Sequence, residues 1–276
     1  MNQKMNSTEN VASVILAAGR GSRMKEFDGN KTLLPLTPNG SPFKGSNLIL
    51  IQIIQSLHPG PKAIVVNYNK QAVMDATTDF KPEYCLQPEL NGTGGALLAT
   101  RAFLKKQECS QFIITMGDVP LVRKETYITL IEKLKKTNMA VLGFCPEDKK
   151  EYGVLDIENR HVNKIIESKY WKNFSIERQL ELKVCNSGIY AVRKNNSLKY
   201  LSILAEKPHI VDKKINGLIQ PIKEYFITDL VEHMTNDGLT VGYVIAQNEQ
   251  EVMGVDDIKA LGTAQKIFQG YTPCGN

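Results

Sequence analysis

Short apolar runs alternate with amphipathic stretches along the first half of the chain. Ala12–Ala18 (ASVILAA) is a continuous apolar run that ends in glycines, and Lys62–Tyr68 (KAIVVNY) is continuous and β-branched. Gln111–Met116 (QFIITM) and Met139–Cys145 also read as buried strands, with a shorter one at Glu83–Gln87. Between them, Ser46–Leu57, Gln71–Thr77, Gly94–Lys106 and Glu125–Lys136 carry apolar residues at helical spacing. Uninterrupted apolar strands separated by helices imply a mostly parallel sheet covered on both faces. The repetition predicts an α/β doubly wound fold, whose right-handed crossovers collect the loops after the strands at one edge, where ligands bind.

From residue 146 the pattern changes. Gly153–Ile157, His161–Ser168 and Val184–Val192 read as strands with little helix between them, apart from a turn around Trp171–Leu180. Residues 146–222 are therefore expected to form a small antiparallel β lobe inserted into one domain, whose core comprises 11–145 and 223–270. Helical spacing returns at Lys194–Leu204 and Glu224–Thr235, followed by a strand at Thr240–Gln247 and a helix at Asp256–Gln269. Pro35–Gly45, rich in Pro, Gly and Asn, predicts a loop.

Composition removes several classes of function. The 276 residues carry 34 Lys and Arg against 29 Asp and Glu, a net charge of +5, which is no signature of nucleic-acid binding. The densest basic run, Lys133–Lys136, ends a predicted helix, where cations complement the helix dipole. Aromatic residues are 7% of the chain and are not interleaved with basic ones, so no stacking platform for single strands is expected. The five cysteines are odd in number and scattered, none forms a Cys-x-x-Cys pair, and the four histidines show no two-His metal motif. Most of the cysteines read as small buried hydrophobes in a reducing compartment. The polar start MNQKMNSTEN lacks the apolar core of a signal peptide, and runs such as Leu48–Ile54 are too short to span a bilayer. A cytoplasmic protein with no membrane or nucleic-acid partner is expected; nothing in the sequence assigns an oligomeric state.

The chemistry concentrates after the first strand, at Leu16-Ala17-Ala18-Gly19-Arg20-Gly21-Ser22-Arg23-Met24. Small residues let a ligand approach the backbone, free N–H groups can cradle a phosphate, and Arg23 adds a planar donor fork. On the glycines alone, a tight strand-to-helix connection fits equally well. The dinucleotide motif is broken at Met24, and no P-loop occurs. Taken whole, Leu-Ala-Ala-Gly-x-Gly-x-Arg-Met followed by Lys31-Thr-Leu-Leu-Pro35 resembles the signature of the sugar-1-phosphate nucleotidylyltransferases. That resemblance implies a Rossmann-like nucleotidyltransferase fold in which Leu16, Ala17, Ala18, Gly19 and Gly21 wrap a nucleoside triphosphate, and Arg23 and Lys31 neutralise it. Asn30 stands where many members have proline.

Further motifs follow in family order across residues 12 to 270. Gln87-Pro-Glu-Leu-Asn-Gly92-Thr93 lies between a strand and a helix. A Gln side chain both donates and accepts, as a base edge requires, and Thr93 is placed to cap the helix. The segment resembles the family's base-reading Gln…Gly-Thr motif, most closely that of the N-acetylglucosamine-1-phosphate uridylyltransferases. Gly117-Asp118-Val119-Pro120-Leu121 puts an acid at the carboxyl end of a buried strand, where it faces the ligand edge. It resembles the family's metal motif. Gly254-Val255-Asp256 resembles the late Gly-Val-Asn/Asp motif, with Asp256 the second ligand of a Mg²⁺ shared with Asp118. Asp256 also fits as a plain helix cap, and its Asp in place of the Asn usual in acetylglucosamine enzymes leaves the subfamily open.

Tyr152-Gly153, Glu167-Ser-Lys169, Cys185-Asn186-Ser-Gly188 and Glu224-Tyr-Phe-Ile-Thr228-Asp229 match the family's acceptor motifs. The resemblance thus assigns Gly153, Glu167, Lys169, Asn186 and Thr228 to sugar binding. The hexapeptide repeats of an acetyltransferase β-helix are absent from the sequence, so acetyl transfer is not expected. The implied reaction is nucleotidylyl transfer from an NTP, expected to be UTP, to a sugar 1-phosphate, expected to be N-acetylglucosamine 1-phosphate. The same chemistry on another sugar or alcohol phosphate with UTP, dTTP or CTP remains an alternative. So does a non-catalytic module that binds nucleotide sugars.

Overall fold

In the computed structural model, residues 11–21, 23–215 and 218–271 are described; Ser22 and Cys274 fall outside this set. The chain builds a nine-stranded sheet with helices on both faces. Its strands are β1 (Val11–Leu16), β4 (Lys62–Val66), β5 (Glu83–Leu86), β6 (Gln111–Met116), β7 (Met139–Phe144), β8 (Val154–Glu158), β9 (His161–Ile166), β10 (Cys185–Arg193) and β13 (Val241–Ile245). The order is β13-β7-β10-β6-β1-β4-β5, with β8 pairing to β10 and β9 to β8. Along the main path β10 alone runs antiparallel to its neighbours; the remaining pairs β13·β7, β6·β1, β1·β4 and β4·β5 are parallel.

Alternation within each strand divides the core. From β1 and β6, Val11, Ile15 and Ile113 pack on one face, while Ala12, Val14 and Ile114 pack on the other. The first layer takes α1 (Ile49–Ser56), α5 (Lys124–Lys133) and α10 (Ile258–Tyr271); the second takes α4 (Arg101–Lys106), α8 (Lys194–Glu206) and α9 (Asp229–Asn236). Every residue of β1 but the last is buried, and so is all of β7, which is why both read as unbroken apolar runs.

Several expectations need correction. The strand assigned to the inserted lobe, Val184–Val192, is β10, which stands between β6 and β7 at the middle of the main sheet. The sequence alternates small and apolar residues there, and only the tertiary pairing decides which sheet receives them. Pro35–Gly45 is not a loop but most of a hairpin, β2 (Pro35–Ser41) against β3 (Lys44–Leu48). Proline is tolerated because the ribbon has only two strands, and α10 anchors it through Gln265, whose Nε2 donates to Pro35 O and Pro42 O, both at 2.8 Å. The expected helix Ser46–Leu57 accordingly starts only at Ile49.

A second hairpin, β11 (His209–Ile215) against β12 (Leu218–Glu224), precedes α9 and takes the first residue of the predicted helix Glu224–Thr235. The predicted helix Gly94–Lys106 is two, α3 (Gly92–Ala99) and α4. They part at Thr100, whose hydroxyl donates to Leu97 O at 2.7 Å in place of regular continuation. The turn expected around Trp171–Leu180 contains two short helices, α6 (Ser168–Trp171) and α7 (Ile176–Glu181). The remaining helix of the parallel half is α2 (Lys70–Thr77). Among the described residues no helix is long and apolar enough to cross a membrane.

Candidate functional site

The chain runs β1, β4, β5 outward in one direction and then returns to place β6 on the other side of β1. The crevice between β1 and β6 is therefore a topological switch point, where open α/β sheets bind ligands at the carboxyl ends of the strands. Leu16 is registered opposite Met116, so the glycine loop and Gly117-Asp118 leave the sheet side by side. Gly117 is required there: its N–H donates to Leu16 O at 2.9 Å, and a Cβ would stand 2.9 Å from that same oxygen.

A cavity of about 360 Å³ opens at this edge. Leu16, Ala17, Ala18, Gly19 and Gly21 form one wall, and Gln87, Gly92 and Thr93 another. Arg23, Lys31, Asp118 and Asp256 close its charged end. Residues up to 240 positions apart in sequence are thus assembled around one space. The Lys31 ammonium lies 2.5 Å from Asp118 Oδ2 and 2.6 Å from Asp256 Oδ1, and Arg23 Nη2 reaches Asp256 Oδ2 at 3.0 Å. Burial alone would lower the Lys31 pKa, but the Asp118 and Asp256 carboxylates outweigh it, and the net direction is upward. The backbone joins the two acids as well, with Val255 N–H donating to Asp118 O at 2.8 Å.

Two carboxylates that converge on one cation suit Mg²⁺, a hard ion commonly held by one or two carboxylates with substrate phosphates and water. The Lys31 ammonium is the stand-in cation between them. Among the described residues no group of three or more His, Cys, Asp or Glu side chains gathers as a metal site.

Asn30, noted in the sequence only as a departure, is 1% exposed and sets the path of Lys31. Its Oδ1 accepts from Thr32 N–H at 3.1 Å and from the Thr32 hydroxyl at 2.9 Å, capping the 3₁₀ turn Lys31–Leu33. Its Nδ2 donates to Tyr68 O at 3.0 Å, tying that turn to the end of β4. The same residue's exit from the usual proline is thus compensated by a cap.

Gln87 is buried, and its Nε2 donates to Asn91 Oδ1 at 3.0 Å and Gly92 O at 3.2 Å. The amide is fixed with its oxygen left to accept from a ligand. Gly92 has φ +93°, and a Cβ there would stand 2.3 Å from Tyr225 O. Thr93 does not act as the helix cap: α3 begins at Gly92, and the Thr93 hydroxyl accepts from Ile227 N–H at 3.3 Å.

The acceptor candidates are gathered differently. Glu167, Lys169 and Thr228 line a second cavity of about 500 Å³, together with Tyr170, His209 and Phe226. Thr228 Oγ1 donates to Glu167 Oε1 at 3.0 Å. Lys169 is exposed, with its ammonium 4.8 Å from the centroid of the Tyr170 ring. Gly153 and Asn186 line neither cavity. Asn186 Nδ2 donates to Tyr190 Oη at 2.8 Å, its Oδ1 accepts from Gly188 N–H at 3.0 Å, and its own N–H donates to Gly153 O at 2.8 Å. These bonds hold the bulge in β10 between Asn186 and Ile189.

The segment 224–228 bridges the two cavities. Glu224 lines the first, and Phe226 and Thr228 line the second. Tyr225 between them is held by Tyr225 N–H to Asn91 O at 2.9 Å and Gly94 N–H to Tyr225 O at 2.8 Å. Sequence reasoning quoted Glu224 without assigning it a role. It likewise quoted Tyr152 without a role; its phenol is shifted upward by burial first and then by charges that include Asp256 and Asp118, which puts it in electrostatic reach of the acidic pair. A third cavity of about 400 Å³, between α1, α5 and α10, contains none of the predicted residues. Cys85, Cys109 and Cys185 are buried and Cys145 is exposed; burial pushes the Cys85 thiol up to about 11 and Cys185 to about 12, as expected of inert core thiols.

Comparison with known proteins adds independent findings. The model of the MobA-like NTP transferase domain matches residues 13–181. The bifunctional protein GlmU of Francisella tularensis subsp. novicida (strain U112) is 29% identical over 262 residues, covering 94% of this chain and 52% of that protein. The chain spans about half the length of the curated relatives it matches. Among solved structures, the uridine diphosphate N-acetylglucosamine pyrophosphorylase from Trypanosoma brucei superposes with a TM-score of 0.72 at 12% identity, over 93% of this chain and 65% of that one. The CMP:2-keto-3-deoxy-manno-octonic acid synthetase complexed with CTP superposes with a TM-score of 0.63 at 15% identity, over 95% and 100%. At these identities the structural matches establish a shared fold.

Proposed function

This chain belongs to the MobA-like NTP transferase family, and from that premise we propose that it transfers a nucleotidylyl group from UTP to N-acetylglucosamine 1-phosphate, releasing pyrophosphate. The observation that carries the reading is the convergence of Asp118, Asp256, Lys31 and Arg23 at the charged end of the glycine-lined cavity. The similarity to GlmU over 94% of this chain supports the general reaction, and the choice of base and acceptor rests on the resemblance of the Gln87…Gly92-Thr93 and Glu167-Ser-Lys169 motifs.

The nucleotide lies along the Leu16–Gly21 wall with its base toward Gln87, Gly92 and Thr93. Its triphosphate lies toward Arg23 and Lys31. The acceptor's phosphate is already ionised, so no general base is needed. One of its oxygens attacks the α-phosphorus; the α–β phosphoanhydride bond breaks, and pyrophosphate leaves with the bonding pair. Catalysis is then positioning and charge neutralisation, and positioning alone supplies roughly 7–11 kcal/mol of barrier reduction. Mg²⁺, held by Asp118 and Asp256, supplies additional neutralisation of phosphate charge when bound. Lys31, which bridges those acids in this structure, would also pair with the triphosphate.

Residues 146–222 are assigned to acceptor recognition and the core of 11–145 and 223–270 to the nucleotide. In this reading Glu167, held by Thr228, accepts from sugar hydroxyls, Gly153 leaves room beside the Glu167 carboxylate, Asn186 holds the β10 bulge, and Lys169 turns from Tyr170 toward the acceptor. Buried free thiols suit a reducing, cytoplasmic setting.

The test is pyrophosphate release over a matrix of NTPs and sugar, polyol and choline phosphates. UTP with N-acetylglucosamine 1-phosphate should give the highest kcat/KM. A different best pair would reassign the substrates, and no release with any pair would replace the enzyme by a nucleotide-sugar-binding module.

A further inference from the structure

We infer that Glu251 is a positioning residue for the metal-binding pair: its buried side chain braces the segment carrying Asp256 against the segment carrying Asp118. The inference rests on the nucleotidylyl-transfer reading above and extends it to a group that touches no substrate.

Glu251 lies in the 3₁₀ turn Glu249–Val252 and is 4% exposed. A carboxylate so far from water is unfavourable unless its lone pairs are answered. Here they are answered from both sides. Oε1 accepts from the Arg123 backbone N–H at 3.2 Å and from the Thr126 hydroxyl; Oε2 accepts from the Arg123 guanidinium at 3.3 Å and from Gln247 N–H at 3.3 Å. Arg123 occupies the N-cap position of α5 and offers no side-chain cap of its own. Glu251, 128 residues away in sequence, does so instead, with the charge that a helix N-terminus favours.

The spacing gives this cap a consequence. Arg123 follows Asp118 by five residues, and Asp256 follows Glu251 by five. Apart from Val252, which ends the 3₁₀ turn, neither intervening stretch is helix or strand, so no regular ladder fixes Asp118 relative to Asp256. The stretches are joined at the metal end by Val255 N–H to Asp118 O at 2.8 Å, and at the far end by Glu251 to Arg123 and Thr126. With one end free the other bond becomes a pivot; with both in place the two carboxylates are held at a fixed separation. Groups that orient ligands in this way are worth about 10–100-fold in metal affinity.

The variant Glu251→Gln keeps the shape but turns an amide donor toward the donors of Arg123 or Gln247. Its Mn²⁺ affinity is read by electron paramagnetic resonance titration in the presence of a non-hydrolysable UTP analogue, well below the melting temperature. Its Mg²⁺ dependence is read by pyrophosphate release. Metal affinity should fall about 10–100-fold, the Mg²⁺ requirement should rise in step, and KM for UTP at saturating Mg²⁺ should stay within about twofold. Thr126→Val, which removes one donor and leaves the carboxylate, should shift metal affinity in the same direction by about threefold, and it decides the matter if Glu251→Gln does not fold. Leu130→Ala, a fully buried position on α5, should lower the melting temperature without moving metal affinity. Wild-type metal affinity in the folded Glu251 and Thr126 variants, or an equal shift in Leu130→Ala, would overturn the positioning role while nucleotidylyl transfer stands. A wild-type protein that binds no Mn²⁺ with the analogue and releases no pyrophosphate would bring down the functional reading, and this inference with it.

Discussion

The two cavities that share the segment 224–228 are built on opposite plans. The first, at the switch point, is walled by backbone and small side chains of the loop after β1 and the start of α3, with four charged residues gathered at one end and Glu224 besides. The second is lined by long side chains from β9, α6 and α9 that already engage one another, as Thr228 does Glu167 and Lys169 does Tyr170. On the proposed reading, a triphosphate presents the same shape and charge in every reaction of this kind, so a preformed backbone cradle would serve it. An acceptor sugar differs from one enzyme to the next, and a wall of exchangeable side chains lets the acceptor change without disturbing the cradle.

The largest test of that contrast is at the charged end. Asp118→Asn should reduce pyrophosphate release by about 10³-fold or more while circular dichroism and the melting transition stay close to wild type. Retained Mg²⁺-dependent turnover would remove Asp118 from the metal pair. Lys31→Met should cost about 10²-fold in kcat and, because the ammonium no longer competes, should let Mn²⁺ bind without nucleotide; failure of Mn²⁺ to bind the variant would deny that Lys31 and the ion share a place.

At the second cavity the expected effect is smaller and of another kind. Glu167→Gln should raise KM for the sugar phosphate about tenfold or more and leave KM for the NTP unchanged. Equal movement of both constants would show that the cavities are not separate subsites. On the boundary, Gly92→Ala forces a side chain at φ +93° against Tyr225 O and should lower stability by about 1–3 kcal/mol, measured by urea unfolding, with a loss of affinity for the base.

The smallest effect is a pH dependence. The Lys31 pKa is raised in the folded state above its ordinary 10.5. The stability it contributes is therefore complete below that value and is lost as pH rises through the higher folded pKa. Between pH 10 and 12 the wild-type melting temperature should fall more steeply than that of Lys31→Met; parallel curves would mean that the ammonium is not held by the two acids.

Much of the first cavity was legible because its chemistry is local. A glycine turn after an apolar strand, an acid after another and a Gln…Gly-Thr loop each announce themselves within a few residues. The second cavity was not legible in the same way. Glu167 and Thr228 stand 61 positions apart, and nothing in either neighbourhood tells that one hydroxyl will hold the other's carboxylate. Asn186 reads as an acceptor ligand, yet its side chain is engaged with Tyr190 and Gly188.

By itself the sequence determined the alternation of buried strands and amphipathic helices, the edge of the sheet that carries the ligand loops, and the residue types available there. These depend on periodicity and on short-range backbone geometry. The tertiary structure alone decided that β10 enters the main sheet antiparallel, that Pro35–Ser41 and Leu218–Glu224 pair as ribbons, and that Lys31 bridges acids 87 and 225 positions away. Such contacts follow from which surfaces remain unpaired once the core has closed, and a strand or a charge carries no local mark of the partner it will meet.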